Sequence, residues 1–311
     1  MANSATDHHT NRAEVIKATL IGVLAVLIWG PSLPIVRMVA DRTGPVGYIG
    51  MSCLISGLCG VIKNILDKKK ILTPEVLRHP IFYLRWICFV VNYSLTTLAV
   101  NIVSHDNLPL VILLNYTWPT MVIIWSVGLS AVRITHRWAF VLGSAIVMLS
   151  LALEIIGPGI LNVHRVFLQN DFLAFGIVII SSISWGLFSA MNRKYGHKTG
   201  SGGVIPYFQL TFLLGLPFYF SLHAAAMPWE LPHYLLAILV IFSLCQFLAQ
   251  QSWYYGMHHG SIVALSLCAD FIPWLSLLSA YFFLGAEITT TTVISAFLLV
   301  VGAMITRFGT L

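Results

Sequence analysis

The sequence predicts an all-α polytopic membrane protein that crosses the bilayer ten times, as two inverted five-helix repeats. Three observations favour this fold: an apolar composition, ten long apolar runs, and a pattern repeated at nearly constant spacing. Of the 311 residues, 58% are hydrophobic and only 9% are Asp, Glu, Lys or Arg, whereas soluble domains carry about 25% charged residues. The composition therefore disfavours a water-soluble protein, and the net charge of +6 requires no nucleic acid as a partner.

The first element of the prediction is the set of membrane spans. A helix needs about 20 mostly apolar residues to cross a bilayer, and ten such runs lie between short polar breaks. Residues 1–17 form a polar N-terminal tail, 18–157 the first repeat, 158–171 the loop between repeats, and 172–311 the second repeat. The predicted spans are 18–38, 46–66, 84–103, 108–129, 138–157, 172–192, 203–222, 233–254, 261–284 and 291–308.

The distribution of basic residues predicts the orientation of these spans. With the N-terminus inside, 14 of the 17 Lys and Arg residues lie on the cytoplasmic side, and only Arg37, Arg42 and Arg165 lie on the other. Cytoplasmic loops are enriched in Lys and Arg. We therefore expect both termini in the cytoplasm.

The two halves of the chain share a sequence pattern. Trp29-Gly30 in span one matches Trp185-Gly186 in span six at an offset of 156, and spans three to five match spans eight to ten at an offset of 154. Because each half has five spans, the second half must enter the membrane from the opposite side. Inverted repeats of this kind are typical of secondary transporters, whose substrate site lies near the midplane between the halves. The pairs matched at the second offset are Asn92 with Gln246, Thr96 with Gln250, Pro119 with Pro273, and Thr135 with Thr289.

Two spans are broken by a proline near their middle. Pro119, in the stretch Asn115-Tyr116-Thr117-Trp118-Pro119, leaves the carbonyl of Asn115 without its helical donor. Pro273 frees the carbonyl of Ala269 in the same way. A free carbonyl is costly in hydrocarbon, so such a break normally faces protein or a wet cavity. We interpret the two broken helices as the facing walls of one site.

Span one carries two further prolines. Pro31 and Pro34 free the carbonyls of Leu27 and Gly30, whereas span six has no proline at the matching positions. This difference suggests the hypothesis that span one moves more than span six when the site changes its exposure.

Asp270 is the acidic residue closest to the middle of a predicted span. A carboxylate at this depth is costly unless it is paired, solvated or protonated. It is a candidate either for binding a substrate ammonium or for carrying a proton. The structural alternative is a carboxylate tied to neighbouring helix ends near the break. Protons are therefore a candidate coupling ion.

Polar and aromatic side chains recur on the predicted spans around the breaks. Asn92 and Thr96 lie one turn apart, and Gln246, Gln250 and Trp253 share one helix face at i, i+4 and i+7. Such stripes either line a cavity or hold helices together. The mid-span tryptophans either form an aromatic pocket or pack beside glycines. The candidate cavity residues are Trp29, Asn92, Thr96, Asn115, Tyr116, Trp118, Trp185, Gln246, Gln250, Trp253, Asp270 and Trp274, and the candidate helix-break residues are Pro31, Pro34, Pro119 and Pro273.

Other classes of function find little support in the sequence. We expect no catalytic residues, metal ligands or cofactor, because His-Glu-x-x-His, a phosphate-binding glycine loop with Lys, and paired intramembrane acids are absent from the sequence. A scaffold without flux would not need a proline-broken aromatic centre. Anionic substrates such as phosphorylated or nucleotide sugars would require deep Lys or Arg. The charge distribution therefore favours a neutral, zwitterionic or cationic solute.

The repeat, the two Trp-Gly pairs and the paired prolines resemble the drug/metabolite transporter superfamily. Within it, three stretches are similar to the bacterial YddG-type aromatic amino-acid exporters: Ala18-Thr19-Leu20-Ile21-Gly22, Gly44-Pro45-Val46-Gly47, and the stretch ending at Pro119. The resemblance implies export of aromatic amino acids and related small metabolites across the bacterial inner membrane. Export or facilitated passage of other small neutral or cationic solutes stays open, as does a membrane-embedded enzyme or a non-transporting scaffold.

Overall fold

A computed structural model describes residues 3–68, 73–130, 132–160, 166–199 and 231–310, and every regular element in these ranges is helical. A 3-10 turn at His105–Asn107 lies between α4 and α5. The α-helices are α1 Asn3–Trp29, α2 Ser32–Leu66, α3 Pro74–Arg78, α4 Pro80–Ile102, α5 Leu108–Asn115, α6 Trp118–Gly128, α7 Arg137–Ile160, α8 Gln169–Thr199, α9 His233–His259, α10 Ile262–Ala269, α11 Ile272–Leu284 and α12 Thr290–Phe308.

Eight stretches of the described chain are long and apolar enough to span a membrane. The first, Arg12–Leu66, has 55 residues, which is long enough for two crossings at about 20 residues each. The predicted connection between spans one and two contains Gly44, whose φ of 71° and ψ of 159° are not helical and separate α2 into two helical parts. This positive φ favours glycine, so the chain changes direction there. The predicted seventh span, 203–222, lies outside the described residues.

The predicted helix breaks are present, and in each case the proline begins a new helix. α5 ends at Asn115 and α6 begins at Trp118, with Pro119 in its first turn. α10 ends at Ala269 and α11 begins at Ile272, with Pro273 in its first turn. Proline is well tolerated in a first helical turn because the N–H it lacks has no intrahelical partner there. All eight residues of α5 are buried, so the break after it lies inside the bundle.

Glycines lie at several close helix contacts. A Cβ added to Gly256 of α9 would lie 2.7 Å from the Cα of Gly22 in α1. A Cβ on Gly143 of α7 would lie 2.2 Å from the backbone nitrogen of Thr306 in α12. Small residues let membrane helices approach in this way, and van der Waals contact then holds them together.

The glycines of the two Trp-Gly pairs make matching contacts. A Cβ on Gly30 would lie 2.6 Å from the Cβ of Leu275 in α11, and a Cβ on Gly186 would lie 2.5 Å from the Cβ of Met121 in α6. Positions 30 and 186 differ by 156, and positions 121 and 275 differ by 154. The contacts therefore follow the two spacings found in the sequence.

The Gly186 contact yields a stability prediction. Gly186→Ala forces α8 away from α6, because the new Cβ overlaps backbone atoms of Met121 and Val122 at 2.8 and 3.1 Å. We expect a loss of about 1–3 kcal/mol, measured as a lower unfolding temperature of the purified protein in detergent. The matched control is Gly176→Ala on the same helix, where nothing lies within 4 Å of the added Cβ. Equal melting temperatures of the two variants would contradict this packing.

Candidate functional site

The break between α1 and α2 is joined to the break between α5 and α6 through one carbonyl. Ser32 Oγ donates a hydrogen bond to the Trp29 carbonyl at 2.7 Å, and Tyr116 Oη donates to the same oxygen at 3.2 Å. Trp29 is the last residue of α1, and Tyr116 follows directly after α5. Two predicted cavity residues therefore meet where two helices are interrupted.

The Trp29 side chain extends this cluster to α9. Its indole Nε1 donates to Gln246 Oε1 at 3.2 Å, and its ring lies 5.4 Å from the ring of Trp253, tilted by 53°. Trp29, Gln246 and Trp253 are half-buried, and Tyr116 is buried. We call these four residues the aromatic cluster. It offers ring faces for stacking next to a polar amide.

A second set of predicted residues forms a polar chain from α4 across α8 to the broken helix. Asn92 Nδ2 donates to Ser181 Oγ at 2.8 Å, and Ser181 Oγ in turn donates to the Asn92 carbonyl at 3.0 Å. Thr96 Oγ1 lies 2.5 Å from Ser181 Oγ and donates to Asn115 Oδ1 at 3.3 Å. The polar stripe of α4 is thus paired with a serine that the sequence analysis did not single out.

The carbonyl freed by Pro119 is satisfied by protein. Ser182 Oγ donates to the Asn115 carbonyl at 2.8 Å and lies 3.1 Å from the Leu114 carbonyl. The hydroxyl replaces the backbone donor that Pro119 lacks, as the hydrocarbon environment requires. The adjacent serines of an otherwise apolar run were the sequence signal for this role.

The other predicted aromatic residues lie apart from the aromatic cluster. Trp118 and Trp185 meet edge to face at 6.5 Å, and Trp185 also lies 5.2 Å from Phe188. Trp274 is half-buried against the largest core cluster, which includes α5. Gln250 is half-buried one turn beyond Gln246 on α9. Trp118 and Trp185 thus form a second aromatic contact, between α6 and α8.

Asp270 forms a bidentate ion pair with Arg307. Arg307 Nη1 donates to Oδ2 at 2.8 Å, and Nη2 donates to Oδ1 at 3.0 Å. Asp270 is 3% exposed, and Arg307 lies in the last turn of α12. The sequence analysis counted Arg307 only among the 14 basic residues of the cytoplasmic side. The pair fits the structural alternative for Asp270, a carboxylate tied to a neighbouring helix end.

Arg37, one of the three basic residues predicted on the non-cytoplasmic side, ties two helices together. It donates to the carbonyls of Val100 and Val103 at the end of α4, the latter at 2.7 Å. Its Nε donates to Asp41 at 3.0 Å, and Asn101 Nδ2 donates to the same carboxylate at 3.1 Å. A cation at a helix C-terminus satisfies its free carbonyls. This contact holds α2 against α4.

A buried carboxylate, Asp171, organises the loop before α5. It accepts from the backbone N–H of Ser104 at 2.7 Å and of Leu168 at 2.8 Å, and from Asn107 Nδ2 at 2.9 Å. Each of these bonds helps to offset the cost of burying its charge. The start of α8 is thereby fixed to the connection between α4 and α5.

The described residues hold no group of three or more His, Cys, Asp or Glu side chains that could bind a metal ion. The five cysteines are free thiols. The described site offers aromatic faces, neutral hydrogen-bonding groups and the Asp270–Arg307 ion pair.

Apolar helices of spanning length, helix breaks buried in the bundle and an aromatic cluster at those breaks define a multi-pass membrane protein of the transporter type. Residues 173–308 match the EamA-like transporter family, so the second half of the chain carries an EamA-like domain. Over 300 residues, the chain is 24% identical to a Salmonella typhimurium (strain 14028s / SGSC 2262) protein named aromatic amino acid exporter YddG, covering 94% of this chain and 98% of the relative. The Escherichia coli (strain K12) protein of the same name is 23% identical over 277 residues, covering 88% and 90%. The resemblance inferred from the sequence is therefore confirmed.

One solved crystal structure has the same fold. It superposes with a TM-score of 0.62, at 20% sequence identity, over 94% of this chain and 96% of that chain. This likeness concerns the fold alone.

The ion pair provides a prediction about stability. Arg307→Met leaves the Asp270 carboxylate buried without its partner, which costs about 3–5 kcal/mol. Adding Asp270→Asn to Arg307→Met removes the stranded charge, so the double variant should recover most of this loss. Unfolding temperatures in detergent give the comparison.

The matched control for this comparison of unfolding temperatures is Arg193→Met, which removes an exposed arginine near the end of α8. We expect its melting temperature to stay close to that of the wild type. A double variant less stable than Arg307→Met would contradict the interpretation, because the two losses would then be independent.

Proposed function

We propose that this protein is a secondary transporter that exports aromatic amino acids and related small metabolites across the bacterial inner membrane by alternating access. The observation that carries the proposal is the aromatic cluster, which gathers Trp29, Tyr116, Gln246 and Trp253 at two helix breaks inside the bundle. Aromatic rings would stack on the substrate ring, and the amides would bind its polar end. The names of the two bacterial relatives support the same substrate class.

The proposal includes ten spans in a 5+5 inverted repeat with both termini in the cytoplasm. The matching contacts of Gly30 and Gly186 support the repeat. Matching loop contacts support it too. Asp171, near the start of α8, binds the α4–α5 connection at Ser104, and Thr19 of α1 accepts from the backbone N–H of Ser261 between α9 and α10 at 2.8 Å. In both cases the connection before a broken helix is held by the helix that opens the other half.

The ion pair limits the role of Asp270 in energy coupling. Both oxygens of the Asp270 carboxylate are engaged by the Arg307 guanidinium, so Asp270 would exchange a proton only in a state where the pair separates. We propose that Asp270 stays paired with Arg307 and that transport follows the substrate gradient. The contrasting hypothesis is proton antiport through Asp270.

Flux in liposomes containing the purified protein tests the function. We expect saturable transport of radiolabelled phenylalanine and tryptophan, because both present a ring to the aromatic cluster. We expect this flux to be indifferent to a pH gradient. Absence of flux for both amino acids would contradict the substrate class and favour the other small neutral or cationic solutes. Absence of flux for those solutes as well would favour an enzyme or a scaffold.

A pH gradient decides between the two coupling modes. A flux that responds to the gradient, and loses this response in Asp270→Asn, would make Asp270 the proton carrier and overturn the facilitated mode. The control is Asp106→Asn, since Asp106 lies in the 3-10 turn with its side chain 80% exposed.

The break in span one generates a prediction about rate. The hypothesis that this span moves during transport attributes the movement to Gly30–Pro31, where α1 ends and α2 begins. Pro31→Ala restores a backbone donor for the carbonyl of Leu27 and stiffens the break. We expect a lower maximal flux with little change in substrate affinity. A maximal flux equal to that of the wild type would refute the hypothesis.

A further inference from the structure

We propose that the α9 face formed by Gln246, Gln250 and Trp253, together with Trp29, is a subsite for an aromatic carboxylate, and that it recognises the carboxylate of the substrate and not its ammonium group. The inference rests on the proposed function and adds to it which end of the substrate is bound here.

The orientation of the Gln246 amide is the first step. An indole N–H can only donate a hydrogen bond, so the atom of Gln246 that faces Trp29 Nε1 at 3.2 Å must be the oxygen. The amide nitrogen therefore points away from the tryptophan with two N–H groups. Within the described part of the chain, this nitrogen donates to no other group. Gln246 thus presents free donors, which suit a carboxylate.

Gln250 adds a second amide on the same face. It lies one turn from Gln246, and Trp253 lies three positions further, so the three side chains share one side of α9. Among the described residues, the Gln250 side chain makes no hydrogen bond. Both glutamines and both tryptophans are half-buried, so part of each side chain is left uncovered by the protein. The tilted ring pair of Trp29 and Trp253, 5.4 Å apart, adjoins these amides.

The corresponding stripe in the first half of the chain is already occupied. Asn92 and Thr96, which match Gln246 and Gln250 at the offset of 154, both bond to Ser181 of α8. The position that matches Ser181 at the offset of 156 is Ala25 of α1. Ala25 is fully buried and has no polar atom in its side chain. At the position that matches Ser181, the second stripe therefore has no hydroxyl to close it, as far as the described residues go.

The chemistry of the ligand follows from these groups. Neutral amide donors bind an anionic oxygen without bringing a buried charge of their own. The tryptophan rings provide apolar faces for an aromatic ring. The acidic group that could attract an ammonium, Asp270, is paired with Arg307. The subsite therefore selects for a carboxylate carried next to an aromatic ring.

Competition with radiolabelled phenylalanine on the purified protein tests the selectivity. The probes are 3-phenylpropionate, which lacks the ammonium, and phenethylamine, which lacks the carboxylate. We expect 3-phenylpropionate to compete within about tenfold of phenylalanine and phenethylamine to be at least about tenfold weaker, the cost of one lost charged hydrogen bond. Phenethylamine competing as well as 3-phenylpropionate would overturn the inference.

Substitutions on α9 test the residues. Gln246→Glu keeps an oxygen for Trp29 and replaces the free donors by a second, negatively charged oxygen. We expect binding of phenylalanine and 3-phenylpropionate to weaken at least about tenfold and the preference between the two probes to reverse. Gln250→Leu should weaken binding of both acids by a similar factor. The matched control, Gln251→Leu, alters the next residue on the same helix, which points about 100° away, and should leave binding unchanged.

Ala25→Ser is an independent test. A serine at this position would offer the glutamines the internal partner that Ser181 offers to Asn92 and Thr96, so binding of the acids should weaken. Wild-type affinity in each of the three single variants, Ala25→Ser, Gln246→Glu and Gln250→Leu, would overturn the subsite.

The outcomes separate this inference from the proposed function. Saturable phenylalanine flux that is insensitive to the α9 substitutions would retain the function and overturn the subsite. If 3-phenylpropionate binds, Gln246→Glu abolishes this binding, and phenylalanine flux is absent, the subsite is retained and the proposed function is overturned. Absence of both would overturn both.

Discussion

The constraint on which the rest of the structure depends is the cost of a free backbone carbonyl in hydrocarbon. Three spanning stretches contain proline near their middle, and each is interrupted there. At the first break the Trp29 carbonyl receives two hydroxyls, and at the second the Asn115 carbonyl receives Ser182. At Asn115 the partner must come from a side chain because Pro119 has removed the backbone donor, and the Trp29 carbonyl lies at the end of α1, where the helical hydrogen bonds stop. Polar side chains therefore lie at the interruptions, inside a bundle that is otherwise apolar.

This requirement also explains why the candidate site lies at the breaks. A hydroxyl that satisfies a carbonyl must come from a helix packed closely against the break, and glycine allows such packing, as Gly186 does beside α6. Trp29, Gln246 and Trp253 lie half-buried between α1 and α9, beside the break that follows Trp29. The same interruptions thus have two results. Their backbone carbonyls receive hydrogen bonds from side chains, and polar and aromatic residues come together beside them.

The helix breaks could be predicted from the sequence, and their partners could not. Proline acts on its own helix, so Pro119 alone locates the free carbonyl of Asn115. Ser182 lies 67 positions away, and its role depends on the register between α8 and the broken helix, which local sequence does not set. The same applies to Arg307, which was counted only among the cytoplasmic basic residues, although its side chain reaches the buried Asp270. The turn at Gly44 lies inside the predicted connection between spans one and two. A positive φ at this glycine lets the chain change direction between the two helical parts of α2.

The two broken helices differ in a way that bears on how the protein works. Tyr116 and Asp270 occupy matching positions at the offset of 154, yet they bond in different directions. Tyr116 bonds to the end of α1, which carries a break of its own. Asp270 is held twice by α12, a helix without a proline. A single hydrogen bond between two interrupted helices is easier to exchange than a bidentate ion pair at a buried position. The break at Tyr116 is therefore the one suited to rearrange around a ligand. The break at Asp270 is suited to keep its own half of the chain rigid during that rearrangement.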